Sequence, residues 1–275
     1  MSIIHVFNRN TIKINLLIIL LTILIAFRSD IRREFVEIRQ FPSPEARQGI
    51  AVDKNYIYVV DTKQIAKYDK KTFELVSKWN DEKSPIIHLD SGVIIDGKLY
   101  CAHSNYPEIP MTSTIEIWDA ATMKHIGSHS FGINWGSCTW IDRFNGYWWA
   151  VFGHYNKWKE LSKTDVSWTT LVKFDEKFRM IESWVFPKEV LKKLGEMTNS
   201  GGSWGPDGYL YCTGHDESEL YVLKLPELGS ILELVDIVSI NCTGQGIAWD
   251  RSDPGSIYTI RKADRIVVHS KMSLK

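Results

Sequence analysis

Five stretches of the chain repeat one pattern of polar and apolar positions. Each opens on a small or polar residue, continues through a short, mostly apolar run and ends at an aspartate. The closing aspartates are Asp53, Asp96, Asp142, Asp207 and Asp250, at intervals of 43, 46, 65 and 43 residues. A repeat of this length is typical of β-propeller blades built from four strands.

A second strand-like run follows each aspartate after a short turn, such as Asp96-Gly97 or Asp207-Gly208. Aspartate followed by glycine between two such runs favours a tight β-hairpin. A third and a fourth run follow before the next repeat begins. We therefore predict an all-β protein, a single β-propeller of five four-stranded blades.

The last repeat contains only three runs, whereas residues 35–41 form a strand-like run ahead of the first repeat. We predict that this N-terminal strand pairs with the strand over residues 266–269 and completes the last blade. A ring closed in this way leaves no strand edge exposed. The propeller would then occupy residues 34–275, with residues 1–33 as a separate segment.

That N-terminal segment has a composition of its own. Arg9 and Lys13 precede an apolar run over residues 16–27 that only Thr22 interrupts. A basic start before a short apolar stretch is typical of a signal peptide, and the run is shorter than the roughly 20 residues of a membrane span. No cleavage site of small residues follows, so a cleaved signal peptide and an uncleaved membrane anchor both stay open. Either one predicts a secreted, periplasmic or membrane-anchored protein.

Charge and cysteine content exclude some classes of function. The 33 basic and 33 acidic residues cancel, so no nucleic-acid partner is expected. We also expect a monomer. The four cysteines, Cys101, Cys138, Cys212 and Cys242, form no C-x-x-C pair, which favours buried free thiols over a zinc or redox site.

The third repeat is long because it contains two insertions. One is the polar segment over residues 155–168, and the other is a short predicted helix over residues 187–194, with proline at its start and glycine after its end. We expect propeller topology to place both insertions on one face. There we predict that they cover a bound ligand. The apolar edge of the helix is expected to pack on Trp158 or Trp168.

Four segments carry a resemblance to known proteins. They are Ala46-Arg-Gln-Gly-Ile-Ala-Val-Asp53, Pro85-Ile-Ile-His88 through Cys101-Ala-His-Ser-Asn-Tyr-Pro107, Ser200-Gly-Gly-Ser-Trp-Gly-Pro-Asp207 with Thr213-Gly-His-Asp216, and Gly244-Gln-Gly-Ile-Ala-Trp-Asp250. Together they resemble a family of uncharacterised exported bacterial proteins in the quinoprotein-like (amine dehydrogenase beta-chain-like) propeller grouping. The resemblance spans nearly the whole chain after the N-terminal segment. It implies the propeller fold and carries over no catalytic residues.

Histidines recur at equivalent positions of the predicted blades. His103, His154 and His215 each follow the second strand of successive blades, and His88 enters from a neighbouring loop. We therefore predict that the four are candidate catalytic residues on one face, with rings that share a polar pocket and are available for acid–base work. The alternative is that each histidine caps its own blade by hydrogen bonds to the loop backbone.

The loops of the same face supply the candidate ligand-binding residues, which are Arg47, Gln48, Asp90, Asn105, Tyr155, Asp216, Gln245 and Arg261. Arg47 or Arg261 is expected to hold an anionic substrate. Metal ligation by these rings with Asp90 or Asp216 stays open, although no H-x-H or H-E-x-x-H spacing occurs. The sequence does not identify a cofactor.

These features predict a cell-envelope or secreted propeller that binds a small molecule or saccharide on the histidine face, with lyase, isomerase or hydrolase activity as the enzymatic version. A membrane partner follows only if the N-terminal segment is uncleaved. The alternative is a non-enzymatic protein-interaction scaffold. A deep polar well would favour the enzyme, and a filled throat would favour the scaffold. Four tryptophans in or beside the innermost strands are expected to fill the throat or, alternatively, to form a platform for a sugar: Trp135, Trp140, Trp204 and Trp249.

Overall fold

The computed structural model describes residues 32–274, which form five four-stranded antiparallel sheets arranged as a five-bladed β-propeller. The N-terminal strand is β1 (Arg33–Pro42). Blade 1 contains β2 (Gly49–Val52), β3 (Tyr56–Asp61), β4 (Gln64–Asp69) and β5 (Leu75–Asn80). Blade 2 contains β6 (His88–Ile95), β7 (Lys98–Ser104), β8 (Ser113–Asp119) and β9 (Lys124–Gly132).

The remaining blades follow in chain order. Blade 3 contains β10 (Ser137–Phe144), β11 (Tyr147–Gly153), β12 (Thr170–Phe174) and β13 (Met180–Val185). Blade 4 contains β14 (Gly201–Trp204), β15 (Leu210–Thr213), β16 (Glu219–Lys224) and β17 (Glu233–Ser239). Blade 5 contains β18 (Ala248–Trp249), β19 (Ser256–Arg261) and β20 (Ile266–Leu274), with β1 as its outer strand. The predicted fold class and blade count are confirmed.

Strand β1 closes the ring as predicted, because it lies next to β20 in the sheet order of blade 5. Its Phe41 is 7% exposed and packs in a core shared by blades 5 and 1. The Phe41 ring lies 5.2 Å from that of Tyr68 and 4.3 Å from that of Phe73, both in blade 1. The first described strand therefore joins the last blade to the first.

The repeated aspartates hold the turns between the first and second strands. Asp53 Oδ1 accepts hydrogen bonds from the backbone N–H groups of Asn55 and Tyr56, each at 2.7 Å. Asp142 also reaches the next blade, where its Oδ2 accepts from the backbone N–H of Trp204 at 2.9 Å. A carboxylate at this position satisfies backbone donors that a tight turn leaves free, and Asp250 does the same for the Ser252 N–H at 2.9 Å.

The throat of the propeller is nearly filled, since a cavity of only about 10 Å³ remains between the inner strands of the five blades, and backbone meets backbone on one side of it. A Cβ added to Gly49 would lie 2.5 Å from Ser91 Cα, and one added to Gly246 would lie 2.6 Å from Gly49 Cα. The Gly246 N–H donates to Gln48 O at 2.9 Å, which links blades 5 and 1. Only glycine allows this approach, so the glycine of the repeat is a throat residue.

The expectation that tryptophans fill the throat is wrong for Trp140. This residue is fully buried in the core of blades 3 and 4, and its ring lies against Gly202. Its Nε1–H donates to Asn199 Oδ1 at 2.6 Å. The indole is too large for an axis that backbone atoms already occupy.

The two insertions of blade 3 pack against each other. The first contains 3-10 turns at Asn156–Trp158 and Val166–Trp168 around α1 (Lys159–Ser162), and the second contains α2 (Lys188–Leu194). Val166 shares a buried cluster with Val190 and Leu194 of α2. The helix therefore packs on the Val166–Trp168 turn through this valine, whereas Trp168 itself is 59% exposed.

The four cysteines are free and buried, as predicted. Burial raises the thiol pKa of each of them above its ordinary value. The N-terminal apolar run lies outside the described residues. Within residues 32–274, no helix is long and apolar enough to span a membrane.

If β1 is an integral strand, shortening Phe41 should destabilise the whole propeller. We expect Phe41→Ala to cost about 3–5 kcal/mol of unfolding free energy, which corresponds to a fall in Tm of about 10 °C for a domain of this size. Val36→Ala in the same strand is the control, because Val36 is 55% exposed and its loss should cost no more than about 0.5 kcal/mol. Thermal melting followed by circular dichroism measures both. Equal, small effects would show that β1 does not contribute to the fold.

Candidate functional site

Two neighbouring cavities open on the histidine face. The central pocket has a volume of about 80 Å³ and lies over the filled throat; it is lined by Gln48, His88, Asp90, Tyr106, Thr139, Tyr155, Met197, Ser200, His215 and Gln245. The groove has a volume of about 290 Å³ and lies between loop residues 109–111 of blade 2 and the insertion of blade 3. Tyr155 lines both cavities, so the two adjoin.

β-Bulges turn two polar side chains toward the central pocket. The register of β6 against β7 shifts between Leu89 and Gly92, which places Asp90 in a bulge. The register of β10 against β11 shifts between Cys138 and Trp140, which places Thr139 in another. A bulge re-aims the side chain of the extra residue, and both of these residues line the pocket.

Asp90 is the most unusual residue of the central pocket. It is 4% exposed, and its side chain has no hydrogen bond among the described residues. The Nε2 atom of His88 lies 3.7 Å from its Oδ2. Burial raises the pKa of this carboxyl well above its ordinary value. Thr139 Oγ1 is buried without a hydrogen-bond partner in the described chain. An unsatisfied buried group costs roughly 1–3 kcal/mol, so a polar partner in the pocket would stabilise both side chains.

The pKa of His88, which neighbours Asp90, is shifted in the opposite direction. Burial, followed by the nearby His103 and Arg47, lowers the pKa of His88 to about 4. Its ring lies 4.9 Å from that of Tyr106 and accepts no hydrogen bond from the described residues. Near pH 7 the imidazole is therefore neutral while burial favours the protonated carboxyl, and the pair can accept one proton and donate another. Opposed shifts of this kind cluster at functional sites.

His103 is occupied by its own blade. Its Nε2 accepts from the backbone N–H of Ile87 at 3.2 Å, so its Nδ1–H donates to Thr114 Oγ1 at 2.8 Å. Thr114 in turn donates to Glu116 Oε1 at 2.6 Å. Both ring nitrogens are used, as in the capping alternative.

His154 and His215 lie in different surroundings. His154 lines the groove, and its ring nitrogens bond to Thr164 Oγ1 at 2.9 Å and to Trp135 O at 3.2 Å. His215 lines the central pocket, and its Nδ1 lies 2.8 Å from Asp216 Oδ2. Burial is the main cause that lowers the pKa of each ring. The single shared space predicted for the three equivalent histidines does not form.

The structure also divides the predicted binding residues. Gln48, Tyr155 and Gln245 line the central pocket together with Asp90. Asn105 braces the blade 2 loop instead, since its Oδ1 accepts from the Thr112 N–H at 2.7 Å.

The two arginines that were predicted to hold an anionic substrate lie away from the central pocket. Arg47 lies 3.9 Å from Asp61 and is half exposed, and Arg261 is held by Asp264 at 2.5 Å. Neither arginine lines the central pocket. Asp216 is 65% exposed and pairs with Lys262 at 2.8 Å.

Four residues near the site escaped the sequence analysis: Tyr106, Thr139, Met197 and Lys262. Tyr106 follows the second strand of blade 2, so its place on the histidine face could have been predicted from the repeat. The bulge that presents Thr139 leaves no such mark in the sequence. Among residues 32–274, no three His, Cys, Asp or Glu side chains are grouped closely enough to hold a metal ion.

Comparison with known proteins gives the fold alone. No family model matches the chain, and no curated protein matches it. Among solved structures the chain is similar to the PQQ-bound aldose sugar dehydrogenase from Streptomyces coelicolor, with TM-score 0.57 and 11% identity over 88% of this chain and 99% of that one. A chain of the mitotic checkpoint complex has TM-score 0.48 and 8% identity over 87% of this chain and 93% of that one. The RRP9 WD40 repeats have TM-score 0.45 and 9% identity over 82% of this chain and 79% of that one.

The likeness to the Streptomyces enzyme agrees with the quinoprotein-like resemblance at the level of the fold. Membership in the exported family stays a prediction.

The depressed pKa of His88 can be measured directly. We expect the ¹³Cε1 signal of His88, assigned with a His88→Gln variant, to titrate near pH 4. Because the folded pKa lies below the unfolded value of about 6.5, the stability linked to this residue is present above about pH 6.5 and is lost as the pH falls toward 4. A midpoint at or above 6.5 would mean that His88 is a cation paired with an ionised Asp90.

Proposed function

We propose that this protein binds a small molecule on its histidine face, with a polar head group in the central pocket and an apolar part in the groove. The observation that carries the proposal is the Asp90 carboxyl, which is buried without a hydrogen-bond partner beside a neutral His88. A ligand would supply the polar contact that the described chain does not. Pockets with convergent polar groups and shifted pKa values are the usual form of ligand sites.

The two volumes indicate the shape of the ligand. The central pocket of about 80 Å³ is well below the roughly 300 Å³ at which sites for whole ligands begin, so it takes a head group. The groove of about 290 Å³ is close to the roughly 300 Å³ at which ligand sites begin. Its apolar walls include Ile109, Met111 and Trp168. Within the expected ligand class, these dimensions favour an amphipathic small molecule over a free saccharide.

The chemistry available to the head group is proton transfer. His88 would take a proton from the bound molecule through a neutral ring nitrogen, and Asp90 would return one from its protonated carboxyl. The exchange leaves the oxidation state of the ligand unchanged, which fits an isomerase, a lyase or a hydrolase. Tyr155 and Tyr106, with ring centroids 5.1 Å apart, shield this position from solvent.

The PQQ of the Streptomyces enzyme is not carried over to this chain. A tricyclic quinone needs far more than the 80 Å³ of the central pocket. The proposed chemistry is therefore assigned to the side chains alone.

An interaction scaffold is the second candidate function. The filled throat favours it, as do two exposed apolar side chains at the rim of the groove, Ile133 at 56% and Trp168 at 59%. We propose a location outside the cytoplasm or at the membrane for either function, on the basis of the N-terminal apolar run alone.

Ligand-observed NMR with a fragment library tests the small-molecule proposal. The library contains aryl and alkyl compounds with hydroxyl, carbonyl or carboxyl heads, together with mono- and disaccharides. We expect amphipathic hits whose affinity falls at least tenfold in Asp90→Asn and in Trp168→Ala. Leu161→Ala is the matched control, because Leu161 belongs to the same insertion, is 68% exposed and does not line the groove.

The variants also separate binding from folding. Trp168 is exposed, so its replacement should change stability by no more than about 0.5 kcal/mol. Hits that bind Asp90→Asn as well as wild type would contradict the assignment of the head group. If no fragment binds the wild type at millimolar concentration, the scaffold becomes the better account.

A further inference from the structure

A second histidine of the central pocket is held in one tautomer by a neighbouring carboxylate. His215 follows β15, and its Nδ1 lies 2.8 Å from Asp216 Oδ2. Two acceptors would repel each other at this distance, so Nδ1 carries the proton and donates it to the carboxylate. Nε2 is then the unprotonated nitrogen of the ring, and its lone pair can accept a proton.

Lys262 fixes this carboxylate from the next blade. It follows β19, and its Nζ donates to Asp216 Oδ1 at 2.8 Å and to the His215 carbonyl oxygen at 3.0 Å. Burial raises the pKa of Asp216, but hydrogen bonds from Lys262 and His215 outweigh burial and hold that pKa below its ordinary value. Asp216 is therefore ionised near neutral pH, as the Nδ1–H tautomer of His215 requires.

The ammonium group of Lys262 also lies beside the His215 ring, 3.1 Å from Nδ1 and 3.4 Å from Nε2. The lone-pair directions of the two ring nitrogens diverge, so an atom at nearly equal distance from both nitrogens lies off both directions. Lys262 therefore places positive charge near the ring without occupying the Nε2 lone pair. Among residues 32–274, no other group is hydrogen-bonded to Nε2.

His215 is also the more accessible of the two histidines that line the central pocket. Its side chain is 29% exposed, against 16% for His88. Asp216 does not line the pocket, so the ring edge that carries Nδ1 is turned away from it and the Nε2 edge is left for the pocket. Burial lowers the pKa of the His215 ring, the hydrogen bond to Asp216 opposes this, and the charge of Lys262 lowers the pKa further. The ring is therefore neutral near pH 7 and can take a proton.

We propose that His215 is a further proton-accepting residue of the central pocket, positioned by Asp216 and Lys262, and that the ligand head group carries a hydroxyl group and a carbonyl group. The proposal rests on the function proposed above. The hydroxyl group would donate to His215 Nε2. The carbonyl oxygen would accept from the carboxyl of Asp90, which is protonated because burial raises its pKa.

The proton transfer at His215 is balanced by groups on the histidine face. The O–H bond of the ligand breaks, its electron pair stays on the oxygen, and an N–H bond forms at Nε2. The Asp216 carboxylate stabilises the imidazolium, and the exposed ring then releases its proton to solvent. An apolar substituent on the same molecule would lie in the groove. The ligand class is therefore a hydroxy carbonyl compound with an apolar substituent.

Side-chain ¹⁵N NMR of the full chain tests the arrangement without a ligand. We expect Nδ1 of His215 to be protonated and Nε2 unprotonated near neutral pH. Asp216→Leu should lower the titration midpoint of His215, because the carboxylate stabilises the imidazolium, whereas Lys262→Met should raise it, because the ammonium opposes a charged ring. Each shift should be about 0.5 pH unit or more. Lys159→Met, in α1 on the same face, is the control and should leave the midpoint unchanged.

Phenacyl alcohol and acetophenone are the ligand probes, because they share an aryl ketone and differ only in one hydroxyl group. We expect phenacyl alcohol to bind about fivefold more tightly, since it makes one further hydrogen bond. Only phenacyl alcohol should shift the Nε2 signal of His215. Asp216→Leu should remove the preference, because Nδ1 then loses the acceptor that keeps its proton there.

The proposal is overturned if Nε2 carries the proton in the wild type. It is also overturned if the two variants move the midpoint in the same direction or not at all, or if the hydroxyl group gives no preference. The function proposed above fails on a different result, namely that no fragment of the library binds. The two failures are distinguishable, because the tautomer and the titration of His215 are measured without a ligand.

Discussion

The close approach of the innermost strands is the constraint on which the rest of the molecule depends. At the seam of blades 5, 1 and 2, a Cβ on Gly49 or Gly246 would lie within 2.6 Å of backbone on the next blade. The strands can meet at this distance only because glycine has no side chain. The throat is therefore nearly closed among the described residues, and the cavity of about 10 Å³ left between the inner strands is too small for a ligand. Functional side chains have to lie above or below this closure.

On the histidine face, β-bulges in the innermost strands place polar side chains above the nearly closed throat. Regular strands would point alternate side chains into the sheet packing, whereas the bulges at Asp90 and Thr139 turn two polar groups toward the axis. The cost is substantial, since neither group finds a hydrogen-bond partner in the described chain. The two polar groups without partners among the described residues, Asp90 and Thr139, are the physical basis for proposing a function at the central pocket.

The fold could be predicted well from the sequence because each blade corresponds to one repeat of a local sequence pattern. Three features can be found directly along the chain: the spacing near 43 residues, the aspartate at each hairpin and the additional strand at residues 35–41. Loop position follows from topology, so the sequence also predicted six residues that line the central pocket: Gln48, His88, Asp90, Tyr155, His215 and Gln245. It could not show that Ile87 and Thr114 occupy both nitrogens of His103 or that Asp264 holds Arg261. Those contacts depend on side-chain geometry that a repeat does not specify.

The most direct measurement is a ¹³C NMR titration of the Asp90 side-chain carboxyl, assigned with Asp90→Asn. The central pocket is a functional site only if this carboxyl is held without a compensating partner. The account predicts a midpoint well above the ordinary value of 3.8, because burial opposes ionisation. A midpoint at or below 3.8 would contradict it, since the carboxyl would then be stabilised as an anion by a partner within the protein.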